Sequence, residues 1–341
     1  MIAWAKKIEE TKYLVLIIVA IGVAIRLVSI PIFANFPHSP VDVYYVDKDA
    51  AGIVLDLKNP YSQGLPVHNY ILNQFPYLPM AAIYYVPFYI MGDIRFGNIF
   101  ADILIMFSVY WIAKSVNRGA AFFAPLAYAL LPFSIWLTIV AATNIMVGAS
   151  FLAVSTAALL KKKYVIAALF LGLALATNQL IIVTLPLLSF YFWRKRKFSY
   201  FWGSLLLSAG IILPFFIANP FRFIYNVILF QFERSSQIDG PFSLYNLVSM
   251  TTGQAIATWI RVSLFLAAVL IGLIWLRHKT FALVPLMGGL LLLGAFILPV
   301  NGFWNYFLPG AVFTITLIPF TIDEVTVKFE KLISAKREKE S

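Results

Sequence analysis

Apolar residues in this chain come in long unbroken runs of about 15 to 22 positions, without the amphipathic stripe of a soluble helix. A helix that is apolar all round is buried in a core or in lipid. The first run, Tyr13 to Phe33, is long enough to cross a bilayer and lacks a small-residue cleavage site after it. It predicts a first transmembrane helix and no cleavable signal peptide. Further crossings are predicted at Phe96 to Ala113, Tyr200 to Ile217, Ala255 to Leu276, Phe281 to Leu298 and Tyr306 to Ile322. Between Arg118 and Lys161 lie roughly forty apolar residues, enough for two helices of about 18 with a turn near Pro132 to Asn144. The stretch from Lys163 to Arg194 is too long for one span and short for two, and predicts two short helices meeting near Asn178-Gln179.

Basic clusters separate these runs: Lys6/Lys7/Lys12, Lys114/Arg118, Lys161 to Lys163, Arg194 to Lys197, Arg277/Lys279, and the tail from Lys328 to Lys339. If all are cytoplasmic, each interval between them holds an even number of crossings. Lys12 to Lys114 contains three apolar runs, so one does not cross. The weakest is Tyr77 to Met91, interrupted by Pro79 and Pro87, which predicts an interfacial or re-entrant helix on the outer side. The expected fold is an all-α, polytopic membrane protein of about ten transmembrane helices, a single domain over 1–341 in the cell membrane, with both termini cytoplasmic. Two outer loops follow, 34–95 and 218–254, and a charged cytoplasmic tail, 323–341. The second loop predicts an interfacial helix over about Pro220 to Glu233.

Composition supports lipid as the solvent. Of 341 residues 61% are hydrophobic and 12% charged, and the mean hydropathy is +0.86. A soluble domain carries about 25% charged residues. The absence of cysteine excludes disulfides and thiol nucleophiles. The net charge of +11 sits in clusters between spans, which argues against a nucleic-acid partner. Arg26 and Asp102 fall inside predicted spans, and a charge in hydrocarbon needs a partner; the two are expected to pair. His38 and His68 lack metal-ligand spacing, so no metal or other cofactor is expected.

Ser39-Pro40-Val41-Asp42 opens a helix in the first outer loop, running to Asn59-Pro60. Ser39 as N-cap with Asp42 three residues later is a capping-box pattern. A carboxylate on the first turn of a helix at a membrane surface could equally act as a general base. Asp47 and Asp49 follow on the same helix and read as solvated carboxylates.

Asp42-Val-Tyr44-Tyr45, Ala50-Ala51, Lys58-Asn59-Pro60-Tyr61 and Tyr77-Leu78-Pro79 resemble the first outer loop of the GT-C class of integral-membrane glycosyltransferases, in particular the polyprenyl-phosphate-mannose-dependent mannosyltransferases. The similarity continues through Gly92-Asp93-Ile94-Arg95, Leu131-Pro132-Phe133-Ser134, Ala176-Thr177-Asn178-Gln179 to Leu185-Pro186, and Asn305-Tyr306. The resemblance implies transfer of mannose or another hexose from a polyprenyl-phosphate donor to a glycan, lipid or protein acceptor at the outer face. It makes Asp42 the catalytic candidate, with Tyr45, Asp47, Tyr61 and Asn178 as candidate substrate contacts. Fixed cations would meet the leaving phosphate, and Arg234, then Arg222 and Arg95, are the outward candidates because arginine binds phosphate in a fork; against this, interfacial arginines also contact lipid headgroups. The chain departs from the pattern in two places. Ala141-Ala142-Thr143-Asn144 stands where many members have a second acidic residue, and Asn178 stands where a lysine is frequent. A transporter or lipid flippase, or a non-catalytic membrane scaffold, is the alternative reading.

Overall fold

The computed structural model describes residues 13–34, 42–62, 64–65, 74–115, 120–230, 242–278, 283–300 and 302–319. Their secondary structure is helical throughout, apart from turns and one bridge at Gly302. Helix α1 is Leu14–Ala34, α2 Val43–Leu55, α3 Pro79–Ile90, α4 Arg95–Lys114, α5 Phe123–Leu130 and α6 Pro132–Ile135. Then come α7 Ile145–Leu160, α8 Tyr164–Thr177, α9 Leu185–Arg194, α10 Phe198–Ala218, α11 Pro220–Ile224, α12 Leu244–Thr252, α13 Thr258–His278, α14 Leu283–Ile297 and α15 Leu308–Ile315.

The centre of the bundle is α7. All but two of its residues are buried, and it packs on α4, α8 and α15. Small residues allow these close crossings: a Cβ at Gly172 of α8 would come within 2.8 Å of the Ser204 carbonyl of α10. In lipid the hydrophobic effect gives no drive for helix association, so small-residue packing and polar contacts must supply it. Around the centre lie α1, α10 and α13, long helices with mostly exposed apolar surfaces.

Among the described residues four helices are long and apolar enough to cross a membrane: α1, α4, α10 and α13. A fifth arises if α5 and the α6 segment through Val140, bent by 56° at Leu131-Pro132, form one span. Leu131 is extended because the following proline disfavours helical backbone there. The expected ten spans are therefore not matched by length. Helices α7, α8 and α14 have 16, 14 and 15 residues, about 21–24 Å at 1.5 Å per residue, against a hydrocarbon thickness of about 30 Å. Helix α7 is almost wholly surrounded by protein and need not match the bilayer, whereas α8 keeps Val165, Ile166 and Leu169 exposed. The Tyr77 to Met91 run contains the 12-residue helix α3. The break near Asn178 is present as a 3₁₀ turn, Gln179–Thr184, between α8 and α9. The helix expected from Pro220 is present as far as it is described, continuous from α11 through a π segment, Tyr225–Leu229, to Phe230. Arg234 and the rest of that helix lie outside the described residues, as do Ser39, His38 and His68.

Arg26 and Asp102 pair as expected. The guanidinium is fully buried on Asp102 and donates further to the Gly22 and Ala129 carbonyls, at 3.1 and 3.0 Å, and to Ser134 Oγ at 2.9 Å. Asp102 also accepts from Tyr128 at 2.5 Å and from Thr138 at 2.6 Å. Every polar atom of the pair is thus satisfied, and α1, α4, α5 and the π turn Trp136–Val140 are tied at one point.

Candidate functional site

Helix α2 lies against α3, which in turn packs on α4 and α8. Asp42 begins it: its carbonyl accepts from the amides of Tyr45 and Val46 at 3.0 and 3.1 Å, and its side chain does not cap the helix's own amides. It is half-buried. Asp47, expected to be solvated, is fully buried. Its Oδ1 accepts from Asn144 Nδ2 at 2.9 Å, and its Oδ2 has no hydrogen-bond partner. Burial pushes the Asp47 carboxyl well above the usual carboxylate range; the Asn144 hydrogen bond offsets part of this, and the negative charge of Asp42 adds to it.

Asn144 reaches Asp47 from the turn that follows the π segment Trp136–Val140, where Ala142 has a left-handed backbone, φ +44°. This is the turn at which the sequence offers an amide in place of a second acid. The amide suits this place: it donates to the buried carboxyl, whereas a carboxylate there would repel it in a low-dielectric environment. The neighbouring polar groups are also interlocked. Tyr85 donates to Asn98 Oδ1 at 2.5 Å, and Asn305 donates to Thr143 Oγ1 at 3.1 Å.

Asp47→Asn is predicted to keep the Asn144 contact while removing the titratable group. Because the folded pKa is raised, Asp47 stabilises the fold fully only below its ordinary value near 3.8, and that contribution is lost as pH rises through the raised value. The variant should therefore unfold at a higher temperature than wild type at pH 7–8, with the difference vanishing towards about pH 4. Thermal unfolding of both proteins across that range checks the sign.

The other expected site residues separate. Tyr61 is 2% exposed; its hydroxyl donates to the Tyr77 carbonyl at 2.6 Å, and its ring packs between Phe75, Phe215 and Phe223. Asn59 donates to the Phe215 carbonyl at 3.1 Å. The Asn59-Pro60-Tyr61 motif thus anchors this segment to α10 and α11. Tyr45 stands edge-on to Tyr44 at 5.2 Å. Arg95 is not a bare cation: it pairs with Asp93 at 2.8 Å and lies 5.4 Å from the Tyr44 ring centre. Arg222 is exposed on α11.

Asn178 accepts from the Leu180 amide at 2.9 Å and lines a cavity of about 750 Å³. The cavity lies between the 3₁₀ turn, α10, the π turn Tyr225–Leu229 and the segment Leu298 to Tyr306. Its lining is mainly aliphatic and aromatic, with Tyr77, Asn178, Gln179 and Tyr306 as polar members. Ile182 and Ile228 line it and are also exposed, so it opens sideways onto an apolar surface. Neither Asp42 nor Asp47 lines it. The two are joined through α7, because a Cβ at Gly148, one turn after Asn144, would touch Asn178 Cβ at 3.1 Å. They are joined again through Tyr306, the neighbour of the asparagine bonded to Thr143.

Sequence reasoning missed Gln179, which donates to the Pro76 carbonyl at 2.7 Å and holds the segment before α3 against the cavity. It also missed Arg261, buried in the first turn of α13. A charge inside an apolar run was the available signal for Arg261, the same signal that singled out Arg26. No family model matches the chain, and no curated protein matches it.

Proposed function

We propose that this protein is an integral-membrane glycosyltransferase that moves a hexose from a polyprenyl-phosphate donor to an acceptor hydroxyl, with Asp42 as the general base. The observation that carries the reading is the open apolar cavity lined in part by Asn178 and Tyr306, which are linked through Gly148 and Asn305 to the segment Thr143-Asn144 that binds Asp47. An isoprenoid chain suits the aliphatic walls, and its phosphate-linked sugar would emerge towards the helix that Asp42 begins. The acceptor oxygen attacks the anomeric carbon, the bond from that carbon to the phosphate oxygen breaks, and the acceptor proton passes to Asp42. The leaving group is a lipid monophosphate, whose charge Arg234 and Arg222 would stabilise. Asp47, buried and with its carboxyl pushed above the usual carboxylate range, would hold the α2 turn in place through Asn144.

The reading requires α2 and α3 to lie outside, with the bent α5–α6 pair and the short helices α7, α8, α9, α14 and α15 joining α1, α4, α10 and α13 in a ten-crossing arrangement. The chain has no cysteine, so Asp93→Cys supplies a single probe. An impermeant maleimide should label it in sealed cells from outside; labelling only after permeabilisation would invert the topology and remove the site from the donor's face. For the activity, purified protein in proteoliposomes should convert one member of a panel of polyprenyl-phosphate hexoses to free polyprenyl monophosphate when acceptor is supplied. The transporter alternative draws on the broken helix at Asn178. It predicts movement of intact donor across the bilayer with no phosphate released.

A further inference from the structure

The buried charge of Arg261 is unexplained by the fold. Its side chain is 2% exposed; Nη1 donates to the Leu298 carbonyl at 2.6 Å and Nη2 to Thr258 Oγ1 at 3.1 Å, while Nε is buried with no hydrogen-bond partner. The guanidinium carbon lies 5.2 Å from the Tyr245 ring centre. Ion pairs among the described residues are Arg26–Asp102, Lys58–Asp56 and Arg95–Asp93, and none of them neutralises Arg261. The contrast with Arg26, which has the same burial and a full set of partners including a carboxylate, is direct. An unneutralised arginine in a spanning helix is costly, and such residues mark ligand paths more often than structure.

The position of the group identifies what would neutralise it. Leu298, whose carbonyl accepts from Nη1, begins the stretch Leu298-Pro299-Val300 that forms one wall of the apolar cavity. Ser243 donates to the Val300 carbonyl at 2.6 Å and opens α12, the helix that carries Tyr245 over Arg261. Helix α12 ends at Gly253 in a left-handed conformation, φ +69°, and its Leu247 and Met250 are exposed. An unsatisfied guanidinium behind the wall of an apolar cavity, beneath a short helix with an apolar outer face, fits an amphiphile with an anionic head.

We propose that Arg261 is part of a binding site for a lipid-borne phosphate, whose tail occupies the cavity and whose head displaces Tyr245 to reach Nε. Its biological role as a further cation for the donor phosphate rests on the transferase reading; the binding itself does not. The test measures binding, in phosphatidylcholine nanodiscs, of a polyprenyl monophosphate to the purified full chain and to Arg261→Met and Arg261→Lys. Wild type should bind, with no competition from millimolar inorganic phosphate. Arg261→Met should weaken binding about 10- to 100-fold, the range for loss of a charge-assisted hydrogen bond, and Arg261→Lys should fall between them. With no ligand, Arg261→Met should melt no lower than wild type, because it removes an uncompensated charge. Unchanged affinity in Arg261→Met, absence of binding to wild type, or displacement by inorganic phosphate would each overturn the proposal. A sharply lower unliganded melting temperature would also overturn it, by making Arg261 a structural group. Bound lipid without sugar transfer would leave this site standing and count against the transferase reading alone.

Discussion

Asp42→Asn should lower sugar transfer by roughly 10²–10⁴-fold while leaving the fold nearly unchanged, because the substitution keeps the shape of the side chain and removes only its capacity to accept a proton. The backbone role of Asp42 is unaffected, since its carbonyl, not its side chain, receives the first bonds of α2. A capping role for the side chain predicts the opposite partition: activity retained, and at most about 1 kcal/mol of stability lost. Turnover and thermal unfolding measured on the same preparation separate the two. Asp47→Asn is the internal comparison. It alters the neighbouring carboxyl on the same helix, yet on this account it raises stability at neutral pH and leaves the base in place.

The second large effect belongs to the buried pair. Arg26→Met and Asp102→Leu should each cost about 3–5 kcal/mol, because either change strands a charge or its partners in an apolar interior. The double variant should recover a large part of that loss, since two apolar side chains of similar volume carry no desolvation penalty. Helix α1 gives the pair its importance. Most of its surface faces outward, and beside the pair it is held by Ile18 and Val19, buried in the core, and by the close approach of Gly22 to Met106. A double-mutant cycle read by denaturant unfolding in detergent checks the coupling; simple additivity of the two losses would contradict it.

The pairing of Arg26 with Asp102 was legible because only two charges interrupt those apolar runs, and hydrocarbon leaves each no other neutraliser. The ends of α1, α4, α10 and α13 were legible for a similar reason: long apolar runs bounded by charge have one stable arrangement in a bilayer. The two short helices meeting near Asn178 were legible as well, because that apolar stretch is too long for one span and short for two. The burial of α7 on nearly every face was not legible, since an all-apolar helix reads the same in lipid and in a protein core. Asp47 was misread because Val46-Asp47-Lys48-Asp49 has the local pattern of a solvated turn, and its burial is decided by Asn144, 97 positions away. The departure at Asn144, noticed as a missing acid, gained a meaning only when the fold brought the amide onto Asp47. Arg261 shows the same limit: its charge in an apolar run was visible, but that no ion pair among the described residues neutralises it is a property of the packed structure.

The central claim is that a lipid-linked sugar binds with its tail in the apolar cavity and its sugar at the helix that Asp42 begins. The most direct measurement is a structure of the Asp42→Asn variant, which should bind donor without consuming it, with a polyprenyl-phosphate hexose bound. The account predicts the isoprenoid chain between the 3₁₀ turn Gln179–Thr184 and α10, and the anomeric carbon near residue 42 with room for one acceptor oxygen between them. A donor whose sugar lies at the opposite end of the bundle, beside Lys161 and Lys195, would contradict it.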